Sequence, residues 1–525
     1  MTVRYGVPHM VVWGVILLGG SAAELFLRTR QLRSWAEDAP LLLCADVEEG
    51  VGQRFDGASW LVPPLGLGRL HGHNPELAIT LAERYGRCVG QEARQLGLNW
   101  VLAPVCDVNN NPANPVINVR AWGEGARTVG VLASTFLRGA QQEGVLCCAK
   151  HFPGHGDTSE DSHLRLPLVP HDRQRLATVE LPPFREAVAA GVASIMTAHL
   201  LLPALDREHP ATLSPAVLSG LLRQELGFDG LIVTDALVME AIAARYGAGE
   251  AAVRALQAGA DLVLMPADVD AAIAAILDAI EDGRLPRESL QARAARRHRA
   301  LARLPIEPLP PSTAQAPLGT FSNGPCERQR AFALELVQST LMHRKADAPQ
   351  RQGGQGSGLA TTAGVNLIRV DSQLSSPFLS PAAPALQRPA EHGYVNRIVD
   401  GRCPSPWVSG GNGPGGPLKL DRLGSGPVLL QLFLRGNPFR GDAAGGEEPW
   451  EQVILQLQKL RRLAALVVYG SPYVWDRLML RLEPSIPTVW SPGQMPLAQQ
   501  AVMDWLGLGS GAATAKKHHD EGFTD

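Results

Sequence analysis

Short apolar runs alternate with longer segments rich in Ala, Leu and Arg from the N-terminus to about residue 305. Short apolar runs bounded by polar loops are typical of buried strands, and such alternation predicts parallel strands joined by helical crossovers. Helical spacing is seen at Pro75–Leu96, Pro215–Leu226 and Gly249–Gly259. The predicted strands are Val11–Leu18, Pro40–Asp46, Leu98–Val105, Val145–Lys150, Val192–Ala198, Leu231–Asp235 and Asp261–Met265.

The length of this region approaches the roughly 250 residues of a (β/α)8 barrel. We therefore predict an α/β fold whose first domain, residues 1–305, is a TIM-like (β/α)8-type barrel. The seven predicted strands are one fewer than a closed barrel requires.

Beyond this region the pattern predicts a smaller C-terminal α/β domain. Residues 306–320 are rich in Pro and predict a linker. Residues 321–509 form the second domain, and residues 510–525 have the composition of a disordered tail. The predicted elements of the second domain are helices at Cys326–Met342, Trp450–Leu463 and Met495–Leu506, and strands at Gly364–Val370, Pro427–Leu434 and Ala465–Tyr469.

The composition, 45% hydrophobic and 19% charged residues, is that of a soluble protein with a sizeable core. A formal net charge of −3 without basic runs gives no reason to expect a nucleic acid partner. The apolar run Val11–Ala23 is shorter than the about 20 residues that cross a bilayer, so no membrane partner is expected. The seven cysteines lack paired metal-ligand spacing, which favours reduced thiols in a cytoplasmic protein without a metal or other cofactor.

Polar side chains repeatedly follow the predicted strands at their C-terminal ends. In a parallel barrel these ends open on one face, where active sites are built. Each residue alone also fits a structural role such as a helix N-cap, but together they predict an active site. The strand-end residues are Asp46, Asp107, Lys150, His151, His199 and Asp235.

The densest group of titratable residues lies in the segment Cys147–Pro167. It begins as a buried strand and breaks at Lys150 into a loop rich in Gly, His and Asp. Such a density of titratable groups at a strand end indicates a reactive site. The loop residues are His151, His155, Asp157, Asp161 and His163.

Several motifs of this chain resemble those of a known enzyme family. AKHFPGHGDTSEDSHLRLP strongly resembles a segment of the glycoside hydrolase family 3 β-N-acetylglucosaminidases. The similarity continues in MTAHLLLPALDREHPATLSPAVLSGLLRQELGFDGLIVTDALVMEAI and, upstream, in PLLLCADVEEGVGQRF and VINVRAWGEGA. VVYGSPYVWD and PTVWSPGQMPLAQQAVMDWLG are similar, with less specific motifs, to the C-terminal α/β domain of that family.

The resemblance implies a retaining exo-β-N-acetylglucosaminidase that acts on an oligosaccharide, hydrolysing terminal β-linked GlcNAc of peptidoglycan-derived or similar fragments. It implies that Asp235 is the nucleophile of a covalent glycosyl-enzyme. It also implies that His163 is the acid/base and Asp161 its partner, where other retaining glycosidases use a carboxylic acid. The implied substrate-binding residues are Asp46, Arg54, Arg120, Lys150 and His151.

The spacing of Asp161 and His163 is compatible with this pairing. Residues i and i+2 of a turn allow a carboxylate to accept from one imidazole nitrogen while the other faces the leaving oxygen, which raises the imidazole pKa. In the alternative interpretation Asp161 closes an Asx-turn and His163 faces solvent. His155 and Asp157 are expected to shape the loop, and His199 to line the pocket floor or to be a core histidine.

Three features depart from the pattern of the family. Glu49 stands where the family has the first Gly of D-Q-E-G-G-R, and Val51 replaces the Arg of that motif. The arginine loop reads NVRAWG where G-D-R-S-F-G is more usual. Relatives carry another strand and helix before the strand at Val11, so we expect either a chain shortened at its N-terminus or an incomplete barrel.

Besides a β-glycosidase of other specificity, three other functions fit parts of the pattern. A metallohydrolase would use the His and Asp residues of the loop as zinc ligands, although their order matches no familiar ligand spacing. A non-catalytic carbohydrate-binding homologue would bind sugar without turnover. A β-glycoside phosphorylase would use the histidine acid/base because it repels incoming phosphate less than a carboxylate does.

Overall fold

The computed structural model describes residues 13–36, 41–162, 164–305, 326–345, 363–370, 376–400, 423–435 and 450–509. The predicted linker at 306–320, the predicted tail at 510–525 and His163 lie outside the described residues. The described residues fall into two compact units, and the boundary between them along the chain lies between Ala331 and Phe332, within the helix Glu327–Thr340. No helix of the described segments is both long enough and apolar enough to cross a membrane.

The first unit contains a curled parallel sheet, which confirms the predicted TIM-like fold. Its strands are ordered β1-β3-β5-β6-β7-β8, and neighbours in this order are hydrogen-bonded. The seventh predicted strand is reduced to a single parallel bridge between Leu262 and Val233. The strands are β1 (Gly14–Ile16), β3 (Leu42–Ala45), β5 (Trp100–Val101), β6 (Leu146–Phe152), β7 (Ser194–Thr197) and β8 (Leu231–Val233), and a separate short pair is formed by β2 (Gly20–Ser21) and β4 (Phe55–Asp56).

Helices connect these strands as the amphipathic pattern predicts. The predicted helix Pro75–Leu96 is confirmed as Pro75–Gln95, where the Asn74 side chain caps the Leu77 N–H. The predicted helix Pro215–Leu226 has π-helical hydrogen bonding over Ala216–Glu225. The α-helices are α1 (Ala22–Ala36), α2 (Leu65–His71), α3 (Pro75–Gln95), α4 (Ala126–Gln142), α5 (Arg173–Arg175), α6 (Pro182–Ala189), α7 (Glu240–Tyr246), α8 (Ala248–Ala258), α9 (Val269–Glu281) and α10 (Arg287–Leu301).

Alternate residues of the strands form one apolar cluster of the first unit. Side chains two positions apart in a strand lie on the same face of the sheet, so these alternate apolar residues all lie on one face. Ala300 of α10 packs against it. The strand residues of the cluster include Leu42 and Cys44, Trp100, Leu146 and Cys148, Met196, and Leu231 and Val233.

The loop after β6 passes very close to the segment that follows β5. A Cβ atom on Gly156 would lie 1.8 Å from the Val108 carbonyl oxygen, so only glycine fits there. Gly154 has a φ of 134°, and a Cβ there would lie 2.8 Å from the Glu180 Cβ. The path of this loop therefore depends on both glycines.

We expect Gly156→Ala to lower the free energy of unfolding by about 3 kcal/mol, because either the loop or the Val108 backbone must move. Urea unfolding followed by far-UV circular dichroism measures this loss. Gly125→Ala is the matched control, because a Cβ on Gly125 meets no atom within 4 Å. Equal stabilities of the two variants would contradict the close approach.

The second unit is a doubly wound α/β fold. Its sheet has the order β11-β10-β12-β13-β14-β9, in which all pairs are parallel except that of β9 with β14. Apolar clusters cover both faces of the sheet, as expected for parallel strands. The elements are α11 (Glu327–Thr340), β9 (Met342–Arg344), β10 (Val365–Arg369), α12 (Pro384–Glu391), β11 (Val395–Val399), β12 (Val428–Leu434), α13 (Trp450–Lys459), β13 (Leu463–Gly470), α14 (Pro472–Met479), β14 (Thr488–Ser491) and α15 (Pro496–Trp505).

The predicted elements of the second unit are confirmed with shifted ends. The predicted helix Trp450–Leu463 was too long, because Arg461 has a φ of 54° and Leu463 already begins β13. Strand β11 was missed since it is half exposed and lacks a continuous apolar run. Strands β9 and β14 are short, at three and four residues, and were missed as well.

Candidate active site

The C-terminal ends of β3, β6 and β8 bring the candidate residues of the first unit together. Asp46 directly follows β3, and Asp235 follows β8 after one residue. Lys150 and His151 lie within β6 and are joined by a cis peptide bond. Because parallel strands end on the same side of the sheet, these side chains share one face of the first unit.

Lys150 lies at the centre of a buried ion-pair cluster. Its Nζ lies 2.7 Å from Asp46 Oδ1 and 2.6 Å from Glu48 Oε1. The Arg120 guanidinium donates to both carboxylate oxygens of Glu48, at 2.8 Å each. Two cations and two carboxylates are therefore connected through Glu48 and Lys150, and paired charges of this kind tolerate burial.

The charges of this cluster stabilise one another. Burial alone would raise the pKa of Glu48, but the adjacent Arg120 and Lys150 hold that pKa well below its ordinary value. Burial would likewise lower the pKa of Lys150, but the carboxylates of Asp46 and Glu48 outweigh it and raise the pKa. Both groups are therefore ionised at neutral pH, which keeps the cluster in a single charge state.

Asp46 is the most exposed side chain of the cluster, whereas Lys150 is buried. An ammonium group has three N–H donors, and two of those of Lys150 are directed at Asp46 and Glu48. The Asp46 side chain is 30% exposed, so the cluster has an open edge. The Nε of Arg54 donates to the Asp46 carbonyl oxygen at 3.4 Å, which places this exposed arginine beside the same edge.

Asp107 fixes the orientation of His151. Its fully buried carboxylate lies 2.7 Å from His151 Nδ1 and also accepts the backbone N–H groups of His151 and His155. Burial would raise the pKa of Asp107, but His151 and these N–H groups lower it. Because a carboxylate only accepts hydrogen bonds, His151 Nδ1 carries the proton of this contact.

Asp235 is half-buried among basic groups. Burial alone would raise the pKa of its carboxyl group, but His151 and His199 outweigh burial and hold the pKa below its ordinary value. The Ala236 N–H, which donates to Asp235 Oδ1 at 2.8 Å, and Lys150 act in the same direction. Asp235 is therefore an ionised carboxylate at the end of a strand, as a nucleophile must be.

His199 is fully buried below Asp235 rather than exposed in the pocket. Its Nε2 lies 3.1 Å from the Ala236 carbonyl oxygen and its Nδ1 lies 2.8 Å from Thr212 Oγ1. Since a carbonyl only accepts, Nε2 carries a proton. The histidine holds the backbone next to Asp235 in place.

The loop after β6 is held by buried polar contacts. Burial lowers the pKa of His155 to about 4, so its ring is neutral and bonds Ser162 Oγ and Thr158 Oγ1 at 2.9 Å each. Asp157 lies 2.9 Å from His171 Nε2 and 3.3 Å from an Arg175 guanidinium nitrogen. These contacts agree with the loop-shaping roles expected of His155 and Asp157.

The predicted acid/base pair is described in part. Asp161 is buried, and its carbonyl oxygen accepts the N–H groups of Leu164 and Arg165 at 3.0 Å. His163 itself lies outside the described residues. Its role as acid/base stays a prediction.

His151 and Asp157, two of the residues that a metal site would use, have different partners. His151 pairs with Asp107, and Asp157 pairs with His171. Within the described segments, no group of three or more His, Cys, Asp or Glu side chains is placed to hold a metal ion.

The sequence analysis did not identify Glu48 as a site residue, and it gave Asp107 no specific role. Glu48 could have been found because it lies two positions after Asp46, the spacing of side chains on one face of an extended chain. Asp107 was noted only as a strand-end residue. Its contact with His151 spans 44 positions in the chain, for which the sequence carries no local signal.

Two family models match this chain. Residues 9–300 match the glycosyl hydrolase family 3 N-terminal domain, and residues 358–507 match the bacterial glycosyl hydrolase family 3 C-terminal domain. The first match covers more than half of the chain and contains every candidate site residue named above.

Curated relatives are similar to large parts of the chain. Beta-hexosaminidase A of Pseudoalteromonas piscicida is 34% identical over 64% of this chain, which spans 59% of that protein. A beta-hexosaminidase of Stenotrophomonas maltophilia is 37% identical over 52% of this chain and 82% of its own length. The solved structure of a glycoside hydrolase family 3 beta-N-acetylglucosaminidase from Paenibacillus sp. str. FPU-7 has a TM-score of 0.73 at 29% identity, covering 95% of this chain and 91% of that one.

Proposed function

Because the chain belongs to glycosyl hydrolase family 3, we propose that it is a retaining exo-β-N-acetylglucosaminidase with Asp235 as its nucleophile. The observation that carries this proposal is the position of Asp235 at the end of β8, next to Ala236, whose carbonyl oxygen lies 3.1 Å from His199 Nε2; His151 and His199 lower the pKa of the Asp235 carboxyl group. The catalytic domain is residues 1–305 and the C-terminal α/β domain is residues 321–509.

In the proposed reaction, a carboxylate oxygen of Asp235 attacks the anomeric carbon while the glycosidic oxygen departs with a proton from the acid/base. Water then attacks the glycosyl-enzyme and gives its proton to the same base, which releases Asp235 and retains the β configuration. A lowered pKa of Asp235 suits a nucleophile that must be ionised before each turnover.

We assign the acid/base role to His163 with Asp161 as its partner. The support is the spacing in the sequence, since Asp161, which is buried, lies two positions before His163. A neighbouring carboxylate stabilises an imidazolium, which brings the pKa of the histidine toward the range of a general acid.

Five residues are proposed to bind the sugar. Asp46 lies at the open edge of the cluster, where its carboxylate can accept hydroxyl protons, and the buried Lys150 ammonium lies directly behind it. His151, fixed by Asp107, has one ring nitrogen left to face the substrate. The five residues are Asp46, Arg54, Arg120, Lys150 and His151.

The proposed substrate is terminal β-linked GlcNAc on peptidoglycan-derived or similar fragments, in the cytoplasm. Two relatives are named beta-hexosaminidase and one solved relative is a beta-N-acetylglucosaminidase, which favours N-acetylated sugars over glucose. A phosphorylase of the same fold is the second candidate, since a histidine acid/base repels an incoming phosphate nucleophile less than a carboxylate does.

We expect turnover of a chromogenic β-GlcNAc glycoside to exceed that of the matching glucoside and xyloside by at least about a hundredfold in kcat/KM, because a site that bonds the acetamido group rejects sugars lacking it. The assay compares the three glycosides in parallel, with and without inorganic phosphate. A sugar 1-phosphate product would identify the phosphorylase. Sugar binding without turnover of any glycoside would show a non-catalytic homologue.

A further inference from the structure

A basic cavity of about 440 Å³ lies on the first unit, apart from the residues that form the candidate active site. Three arginines contribute to its wall, although the whole chain carries a formal net charge of −3. The lining residues are Arg207, Glu208, His209, Arg245, Tyr246 and Arg254.

One wall of the cavity is a turn organised by Asp206. Its carboxylate accepts the N–H groups of Glu208 and His209, at 2.9 and 3.0 Å, and the Ser214 hydroxyl at 2.6 Å. These bonds lower the pKa of Asp206 against the effect of burial. The turn is therefore a defined structure that places the exposed Arg207 at the cavity.

The other lining residues, Arg245, Tyr246 and Arg254, belong to the end of α7 and to α8. The guanidinium groups of Arg245 and Arg254 lie 5.4 and 5.3 Å from the centre of the Tyr246 ring, within the range of cation–π contacts. Arg254 Nε also pairs with Glu250 at 2.7 Å. One aromatic ring thus holds two guanidinium groups beside the same cavity.

The charges around the cavity favour an anion. Glu250 pairs with Arg254, and Asp206 lies 3.4 Å from His209. In the part of the chain that the structure describes, Arg207 and Arg245 form no ion pair. Glu208 is the one carboxylate among the lining residues, whereas the guanidinium groups of Arg207 and Arg245 both have N–H donors for a ligand.

The segments that line the cavity follow two strands of the sheet of the first unit. The Asp206 turn follows β7 and His199, and α7 begins five residues after Asp235. Both lining segments are therefore built from chain that leaves the C-terminal ends of adjacent strands.

We propose that this cavity binds an anionic group, a carboxylate or a phosphate, carried either by the leaving group of the substrate or by a separate small molecule. The first source rests on the proposed function, whereas the second does not. Arginine forks match the planar geometry of both anions and bind them in preference to neutral groups.

The first arm of the test uses two β-GlcNAc glycosides with the same aromatic leaving group, one carrying a carboxylate and the other the neutral amide. The double variant Arg207→Gln, Arg245→Gln is expected to lose about tenfold in kcat/KM for the carboxylate glycoside, the loss of roughly one charge-assisted hydrogen bond, and nothing for the amide. Arg185→Gln, an exposed arginine of α6, is the control and leaves both values unchanged.

The second arm needs no turnover and uses inorganic phosphate at constant ionic strength. Phosphate is expected to raise the Tm of the wild type and of Arg185→Gln but not of the double variant. A loss in the first arm identifies the leaving group as the source, and a phosphate effect alone identifies a separate anion. If the double variant behaves like the wild type in both arms, the proposal is wrong. If the wild type cleaves neither glycoside, the proposed function is wrong, and the phosphate arm alone tests the anion site.

Discussion

Asp235→Ala is expected to lower kcat for a chromogenic β-GlcNAc glycoside by roughly 10⁴-fold or more, because no other group can replace the nucleophile that forms the glycosyl-enzyme. The position of the carboxylate beside His151 and His199 and its lowered pKa are the basis of this expectation. Steady-state rates of the wild type and the variant measure the loss.

A product analysis separates a lost nucleophile from a damaged fold. With azide as an external nucleophile and an activated leaving group, Asp235→Ala is expected to form the glycosyl azide of α configuration, since a single displacement inverts the anomeric carbon. Asp229→Ala serves as the matched control because the Asp229 side chain is 78% exposed and pairs with Arg299 at the surface. Substantial residual hydrolysis by Asp235→Ala would reject the assignment.

Glu48→Ala is expected to lower the free energy of unfolding by about 3–5 kcal/mol, because it leaves the buried Arg120 and Lys150 without their shared carboxylate. Asp46 still pairs with Lys150, so Arg120 is the cation affected most. The KM for the glycoside should also rise as the two cations lose their fixed positions. Urea unfolding and steady-state kinetics measure the two effects.

Two variants serve as comparisons for Glu48→Ala. Glu48→Gln retains the shape and one acceptor oxygen, so we expect a smaller loss of stability. Glu124→Ala removes a carboxylate that is 39% exposed and pairs with Arg69, and a surface pair of this kind contributes only about 0–1 kcal/mol. Equal losses for Glu48→Ala and Glu124→Ala would show that the buried cluster does not stabilise the first unit.

The fold class could be predicted from the sequence because strand and helix periodicities are local. The run Val145–Lys150 predicted β6, and the amphipathic stretch from Pro75 predicted α3 to within one residue. Strand β11 could not be found in this way, since its side chains are half exposed and its position depends on pairing with β10. The length of the predicted strand Asp261–Met265 likewise depends on pairing with β8, and the structure has a single bridge there, between Leu262 and Val233.

The sequence by itself determined which chemistry is available: a strand–helix alternation, a loop rich in His and Asp, and carboxylates at strand ends, together with motifs that resemble one enzyme family. Only the tertiary structure decided which of these groups meet. Arg120 reaches Glu48 across 72 positions, and Lys150 reaches Asp46 across 104. Charge pairing and pKa values depend on distances of a few ångströms and on burial, and these arise when parallel strands bring distant residues to one face.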